Sequence, residues 1–315
     1  MPEPLKRPVR YRLEAFGFWV VIGLLKLLPL DMASAIMGTL FRKVGPQIRV
    51  SRRAERNLQK VFPDMNPPEI SDVIQGMWDH LGRLVAEYAH LEDLRCFHEN
   101  SRVEVVNPEI LARTKLSGGG AIVITGHIGN WEAQGFAATD QGVRAAVVYR
   151  TANNPLVDRQ IYELRKPIVE AQFPKGTSGV RGILQHLKSG GVVAMLVDQK
   201  MNDGVPVPFF GRDAMTAPAA AEIAYKYDYP LIPLRSERLE GSRYRVTVYP
   251  PMDLPKTGNR EADVRATLVE INKTLEEWIR ERPEQWLWLH NRWPSTEPSA
   301  SDQPITLDPD ARQTN

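Results

Sequence analysis

One cysteine, six histidines, nearly balanced charge and no clean membrane-length apolar run set the first limits on this chain of 315 residues. Cys96 cannot close an internal disulfide, so nothing marks an oxidising compartment. No Cys/His cluster suggests zinc, and a catalytic zinc usually takes two or three histidines, so neither a metal nor a cofactor is expected. Forty Lys plus Arg stand against 38 Asp plus Glu, a formal net charge of +2. No global basic field therefore points to nucleic acid. Near the amino terminus the uninterrupted apolar run from Ala15 to Leu25 has 11 residues, whereas a clean span needs about 20. It lacks a small-x-small cleavage site, which excludes a cleaved secretory signal. There is no internal repeat.

What is there is enough apolar sequence, 43% of residues, to bury a full core. Residues 15–30, AFGFWVVIGLLKLLPL, follow Lys6, Arg7, Arg10 and Arg12 and are interrupted by Lys26 and Pro29. The pattern predicts a helical anchor over 1–45 that enters or lies on the inner leaflet, with Phe16, Phe18 and Trp19 at the interface. A basic and amphipathic helical region follows over 46–100. Arg42, Lys43, Arg49, Arg52, Arg53, Arg56 and Lys60 face only Glu55, which suits an anionic membrane surface or a phosphorylated lipid. From 69 to 94 the apolar positions recur at three and four, as in an amphipathic helix.

Beyond residue 101 short β-branched runs alternate with helical stretches, predicting an α/β domain over 101–294 with a mostly parallel central sheet flanked by helices. Strands are expected at 103–106, 121–125, 145–149, 192–197, 231–238 and 244–249. Helices are expected near 130–139, 154–169, 177–188, 216–227 and 260–282. The Gly- and Pro-rich stretch 204–211 reads as a loop, and 295–315, rich in Ser, Pro, Asp and Thr, as a disordered tail.

The chemistry concentrates where the strand AIVIT ends in Gly126, His127, Ile128, Gly129, Asn130, Trp131 and Glu132. Sites in open α/β sheets gather at the carboxyl ends of strands. Glu132 falls about one helical turn beyond His127, so the two side chains are expected to meet. A carboxylate on Nδ1–H would leave Nε2 free as a base. Asp198 and Gln199 end another apolar strand and are expected at the same edge. Arg150 follows the strand ending at Tyr149 and Arg165 lies in YELRK; both are candidates to grip phosphate or an acidic carrier surface. Phe209 and Phe210 are acyl-channel candidates, with core packing as the equal alternative. Cys96, in LEDLRCFHEN, is a poor candidate nucleophile.

The H-x4-E spacing resembles the H-x4-D/E motif of lysophospholipid and lipid A acyltransferases. With YRTANNPLVD at 149–158, LVDQK at 196–200 and VPVPFFGRDAMTAPAAAEIA at 205–224, the chain is similar to the bacterial late acyltransferases of lipid A biosynthesis. The resemblance covers roughly residues 10–295 and implies a glycerolipid acyltransferase-like fold. It further implies an inner-membrane enzyme facing the cytoplasm, which takes an acyl chain from acyl carrier protein to a hydroxyl of a Kdo-bearing lipid A precursor. His127 would be the general base oriented by Glu132, with Asn130, Arg150, Arg165, Asp198 and Gln199 binding substrate or supporting the pair. Three other readings stand beside it: acylation of another lipid acceptor, a hydrolase with a metal on His127, Glu132 and Asp198, and a non-catalytic lipid-binding protein.

Overall fold

The computed structural model describes residues 8–293, except for the side chains of Lys115 and Ser117. The first seven residues and the expected tail at 295–315 lie outside the described residues. The amino-terminal part consists of helices α1 (Pro8–Lys26), α2 (Leu30–Val44), α3 (Ser51–Val61) and α4 (Pro67–Glu87), then a 3-10 stretch, Tyr88–Leu94. The start of α4 is written in the chain. Pro67 occupies the first turn, where its missing N–H costs nothing. The Asn66 side chain accepts from the Glu69 N–H at 3.0 Å while Glu69 accepts from the Asn66 N–H at 2.8 Å, a reciprocal cap that satisfies two otherwise orphaned donors.

Helix α4 buries Ile70, Ile74, Met77, Trp78 and Leu84, and α2 packs closely along it because Gly82 has no Cβ. A methyl there would stand 2.3 Å from the Met37 carbonyl oxygen. The helix expected to run to residue 94 leaves α-geometry at Tyr88 and kinks at His90. The His90 ring lies 3.0 Å from the Leu25 carbonyl oxygen of α1 and 3.1 Å from Asp93, so tertiary partners replace the regular ladder.

The α/β part begins with β1 (Val103–Val106), α5 (Glu109–Ser117), β2 (Ala121–Thr125), α6 (Gln134–Thr139), β3 (Ala145–Tyr149), α7 (Pro155–Arg165), β4 (Ala171–Pro174), α8 (Thr177–Lys188) and β5 (Val192–Leu196). It continues with β6 (Val205–Phe209), β7 (Arg212–Thr216), α9 (Ala219–Tyr227), β8 (Leu231–Arg238), β9 (Tyr244–Val248) and α10 (Arg260–Glu281). Seven strands form one sheet in the order β1-β9-β8-β2-β5-β3-β4. It is parallel except where β8 meets β9. Every residue of β2 is buried, as a central strand covered on both faces requires. One apolar core lies on each face: one includes Ile122, Ile124, Val193 and Met195, the other Val123, Phe136, Val192 and Val246.

Two further features differ from the sequence reading. Residues 171–174 add the edge strand β4, too short and too half-buried to show a period. The expected loop at 204–211 is largely the antiparallel hairpin β6–β7. Pro206 and Pro208 read as breakers, yet both are exposed while Val207 and Phe209 are buried, so the prolines alternate outward on a two-stranded ribbon with no further neighbour.

Among the described residues no helix is long and apolar enough to cross a membrane, so the expected anchor finds no support as a span. Helix α1 is held against the body by Asn154, whose amide donates to the Tyr11 carbonyl and Glu14 at 2.9 Å. Leu13, Phe16, Trp19, Leu24 and Leu27 of its region point outward, as do Met32, Ile36, Leu40, Val44 and Ile48 at every fourth position.

Candidate active site

His127 and Asp198 emerge from the carboxyl ends of neighbouring parallel strands, because β2 and β5 pair in a register that sets Thr125 opposite Leu196. Asp198 is fully buried and accepts three hydrogen bonds. Its Oδ1 takes the His127 Nδ1–H at 2.8 Å, and its Oδ2 takes the His127 backbone N–H and the Trp286 indole N–H, each at 2.8 Å. Burial alone would raise the Asp198 carboxyl, but the nearby His127 and its hydrogen bonds outweigh that and hold it well below the usual carboxylate range. With the Nδ1 proton committed to Asp198, neutral His127 presents Nε2 as an acceptor, 3.1 Å from the Gln199 amide nitrogen. The His127 side chain is 17% exposed, open enough for a substrate hydroxyl to approach. Trp131 and His290 flank its ring, with centroids 5.0 and 5.3 Å away.

The expected contact between Glu132 and His127 gives way to a different pairing. Arg165 Nε donates to Glu132 Oε2 at 2.8 Å, and a second guanidinium nitrogen bonds Glu132 Oε1 and, at 2.9 Å, the Tyr88 hydroxyl. Tyr88 in turn donates to Glu132 Oε1. Burial lowers the Arg165 guanidinium, but Glu132 and Tyr88 raise it by more, so Arg165 keeps its charge. Burial and then Glu132 push the Tyr88 phenol well above its ordinary value. Among the described residues no three His, Cys, Asp or Glu side chains are grouped as a metal ion would need, and Glu132 is engaged by Arg165. The three-ligand metal reading therefore has no geometry to rest on.

The turn between His127 and Glu132 is locked from behind. Gly129 has φ +57°, and a Cβ there would lie 2.2 Å from the Ser236 carbonyl oxygen of β8, so both conformation and space call for glycine. The Asn130 side-chain oxygen accepts the N–H groups of Glu132 and Ala133 at 3.1 Å while its amide donates to Glu87 at 2.9 Å. Asn130 thus shapes the turn. Glu87, with no exposed side-chain surface, is also held by Arg238 at 2.6 and 3.0 Å and by the Tyr244 hydroxyl. His80 bridges Arg238 Nε, 3.1 Å from its Nδ1, and the Gly129 carbonyl, 3.0 Å from its Nε2. Burial and Arg238 push His80 down to about 3, so it is neutral and can accept at Nδ1 while donating at Nε2. A Glu87→Ala change leaves Arg238 charged and unpaired, and a loss of about 3–5 kcal/mol in unfolding free energy is expected from urea denaturation.

Arg150 is exposed just past β3. Phe209 and Phe210 do not face an open channel: Phe209 packs against Trp286 and Trp293 with ring centroids 5.9 and 5.6 Å away, and Phe210 against Phe62 at 6.1 Å. The apolar cavity lies instead on the other face of the sheet. Gly135 and Ala138 of α6, Ala194 of β5, and Ile168 wall it, with Trp131, Glu132 and Arg165 also bordering it. Cys96 is buried, and burial followed by Asp140 pushes its thiol up to about 12, which removes its nucleophilic form near neutrality.

Sequence reasoning missed Tyr88, Glu87, His80 and His290, and left Trp286 open between core, interface belt and channel wall. The run QWLWLHNRW shows aromatic density, and the bridge between Ile128 and Trp286 is what brings it to the histidine.

The sequence pattern described as bacterial lipid A biosynthesis acyltransferase matches residues 5–295. A lipid A biosynthesis lauroyltransferase of Escherichia coli (strain K12) is 26% identical over 257 residues, 78% of this chain and 80% of that protein. The lipid A biosynthesis myristoyltransferase of the same organism is 24% identical, covering 87% of this chain and 85% of its own length. A phosphatidylinositol mannoside acyltransferase of Mycolicibacterium smegmatis (strain ATCC 700084 / mc(2)155) is 23% identical, with 91% and 93% covered. A match across nearly the whole described chain, over a sheet edge that carries His127, Asp198 and the Glu132–Arg165 pair, places the protein in the bacterial lipid A biosynthesis acyltransferase family.

Proposed function

We propose that this protein transfers a fatty acyl chain from acyl carrier protein to a hydroxyl of a Kdo-linked lipid A precursor, with His127 as the general base. The observation that carries the mechanism is the Asp198–His127 contact, which commits the Nδ1 proton and turns Nε2 toward the Gln199 amide, while Trp131 beside the ring also borders the apolar cavity. A thioester is already activated, so the residues need only take the hydroxyl proton and stabilise the oxyanion. Asp198 fixes the imidazole and balances its charge once protonated. Glu132 acts by clamping Tyr88 and Arg165, with the latter of which it borders the cavity, rather than by touching the base.

The acyl chain enters the cavity between α6 and the sheet, where each buried methylene contributes about 0.8 kcal/mol. Ala194 lines it. In Ala194→Leu the favoured donor is expected to shorten by about two carbons or more, read by competition among carrier thioesters of graded length. The outward apolar faces of α1 and α2 rest on the cytoplasmic leaflet of the inner membrane, and the basic residues of α3 lie near its anionic headgroups.

The test is acyl transfer by the full chain in membranes, with acyl carrier protein thioester and the Kdo-bearing precursor, followed by mass spectrometry. The product gains one ester-linked chain with wild type and none above background with His127→Ala. Unchanged transfer by His127→Ala, or no transfer by the wild type to this acceptor, removes the proposal.

A further inference from the structure

Gln199 bridges two imidazoles. Its amide nitrogen is 3.1 Å from His127 Nε2 and 3.2 Å from His290 Nε2. The donor and acceptor roles follow from the rest of the site. Asp198 takes the Nδ1 proton of His127, so neutral His127 offers only a lone pair at Nε2, and the group facing it must donate. The second amide hydrogen then goes to His290 Nε2, which accepts as well. Burial above all, with Arg53 and Arg292, pushes His290 down to about 4, against the opposing effect of Asp198. It stays an acceptor at neutral pH. The His290 backbone is pinned too: Asn57 of α3 donates to its carbonyl oxygen, and to that of Trp288, at 2.9 Å.

An acceptor hydroxyl that reaches His127 Nε2 must take the place of one amide hydrogen of Gln199. That hydrogen is released beside the reacting carbon, while the other remains tied to His290. We infer that Gln199 is the catalytic donor to the thioester oxyanion, and that His290 is a positioning residue that holds the amide in register. The inference rests on the acyltransferase reading above. The hydroxyl proton passes to His127 Nε2 as the new C–O bond forms, and the carbonyl π pair moves onto oxygen, facing the Gln199 N–H. The pair then returns, the C–S bond breaks, and the departing thiolate takes the proton from His127.

The experiment compares full-length Gln199→Glu, Gln199→Ala, His290→Ala and His290→Gln with wild type and His127→Ala. Acyl carrier protein thioester and the Kdo-bearing precursor are the substrates, with thermal melting measured alongside. Loss of the donor in either Gln199 variant is expected to lower kcat about 10²–10³-fold, with KM for the acceptor within about threefold. His290→Ala is expected to lose about 10- to 10²-fold in kcat, and His290→Gln, whose side-chain carbonyl can still accept, to recover most of it. A Gln199 that merely covers the base predicts the opposite, Gln199→Ala as fast as wild type or faster. That result, with His127→Ala inactive, overturns the oxyanion assignment alone. Activity retained by His127→Ala overturns the acyltransferase reading beneath it. Should Gln199→Glu melt early, Gln199→Ala decides.

Discussion

Replacing Asp198 by asparagine is expected to slow acyl transfer about 10³–10⁴-fold, as a histidine base loses when its carboxylate partner becomes an amide. The reason is geometric before it is electrostatic. Asp198 accepts from Nδ1 and from the backbone N–H of the same residue, His127, so it fixes both where the imidazole stands and which nitrogen carries the proton. An asparagine has only one accepting oxygen. Its amide must face either the backbone N–H and the Trp286 indole, both donors, or the imidazole, where it would draw the Nδ1 lone pair and move the proton to Nε2. Steady-state kinetics with carrier thioester separate this from a binding defect: kcat falls and KM for the donor holds. An Asp198→Asn enzyme within about tenfold of wild type rules out Asp198 as the partner of the base. The same carboxyl couples fold to pH. Its folded value lies below its unfolded one, so its stabilisation is complete above about pH 4 and is lost as pH falls further.

The second large effect concerns Glu132 and Arg165. Each removed alone leaves the other charged and mostly buried, with side chains 8% and 16% exposed, and a loss of about 3–5 kcal/mol in unfolding free energy is expected for Glu132→Leu or Arg165→Met. The double variant is expected to lose no more than either single one, because it leaves no uncompensated charge. That non-additivity, measured by denaturant unfolding, is the signature of direct partners. A Glu132 that instead oriented His127 would give additive stability changes and a pure kcat loss. The two variant sets thus separate the carboxylates: Asp198 is tested through the imidazole it holds, Glu132 through its contacts with Arg165 and Tyr88.

Much of the architecture was legible because it follows from local periodicity. The run AIVIT, without polar alternation, reads as a central strand, and β1, β2, β3 and β8 begin and end where the sequence places them. The Asn66–Pro67–Glu69 start of α4 is likewise a local property. The hairpin β6–β7 was hidden because proline reads as a breaker until one sees that its positions face outward. The turn around His127 could be named from its glycines, and its place at a strand's carboxyl end from the run before it.

Which carboxylate meets the histidine is another kind of fact. Glu132 is five residues from His127 and Asp198 is 71 away, so a reading along the chain favours the near one. Only the strand order decides otherwise: β5 inserts directly beside β2, bringing Asp198 level with His127, while Arg165 returns from the end of α7 to claim Glu132. The sequence by itself singled out His127, the central strand that presents it, and the absence of disulfide-forming cysteine pairs. The tertiary structure decided the carboxylate that His127 meets, the amide and second imidazole facing it, and the side of the sheet on which an apolar cavity opens. Period and composition act over a few residues, whereas hydrogen-bond partners at a sheet edge are chosen by which distant strands lie side by side.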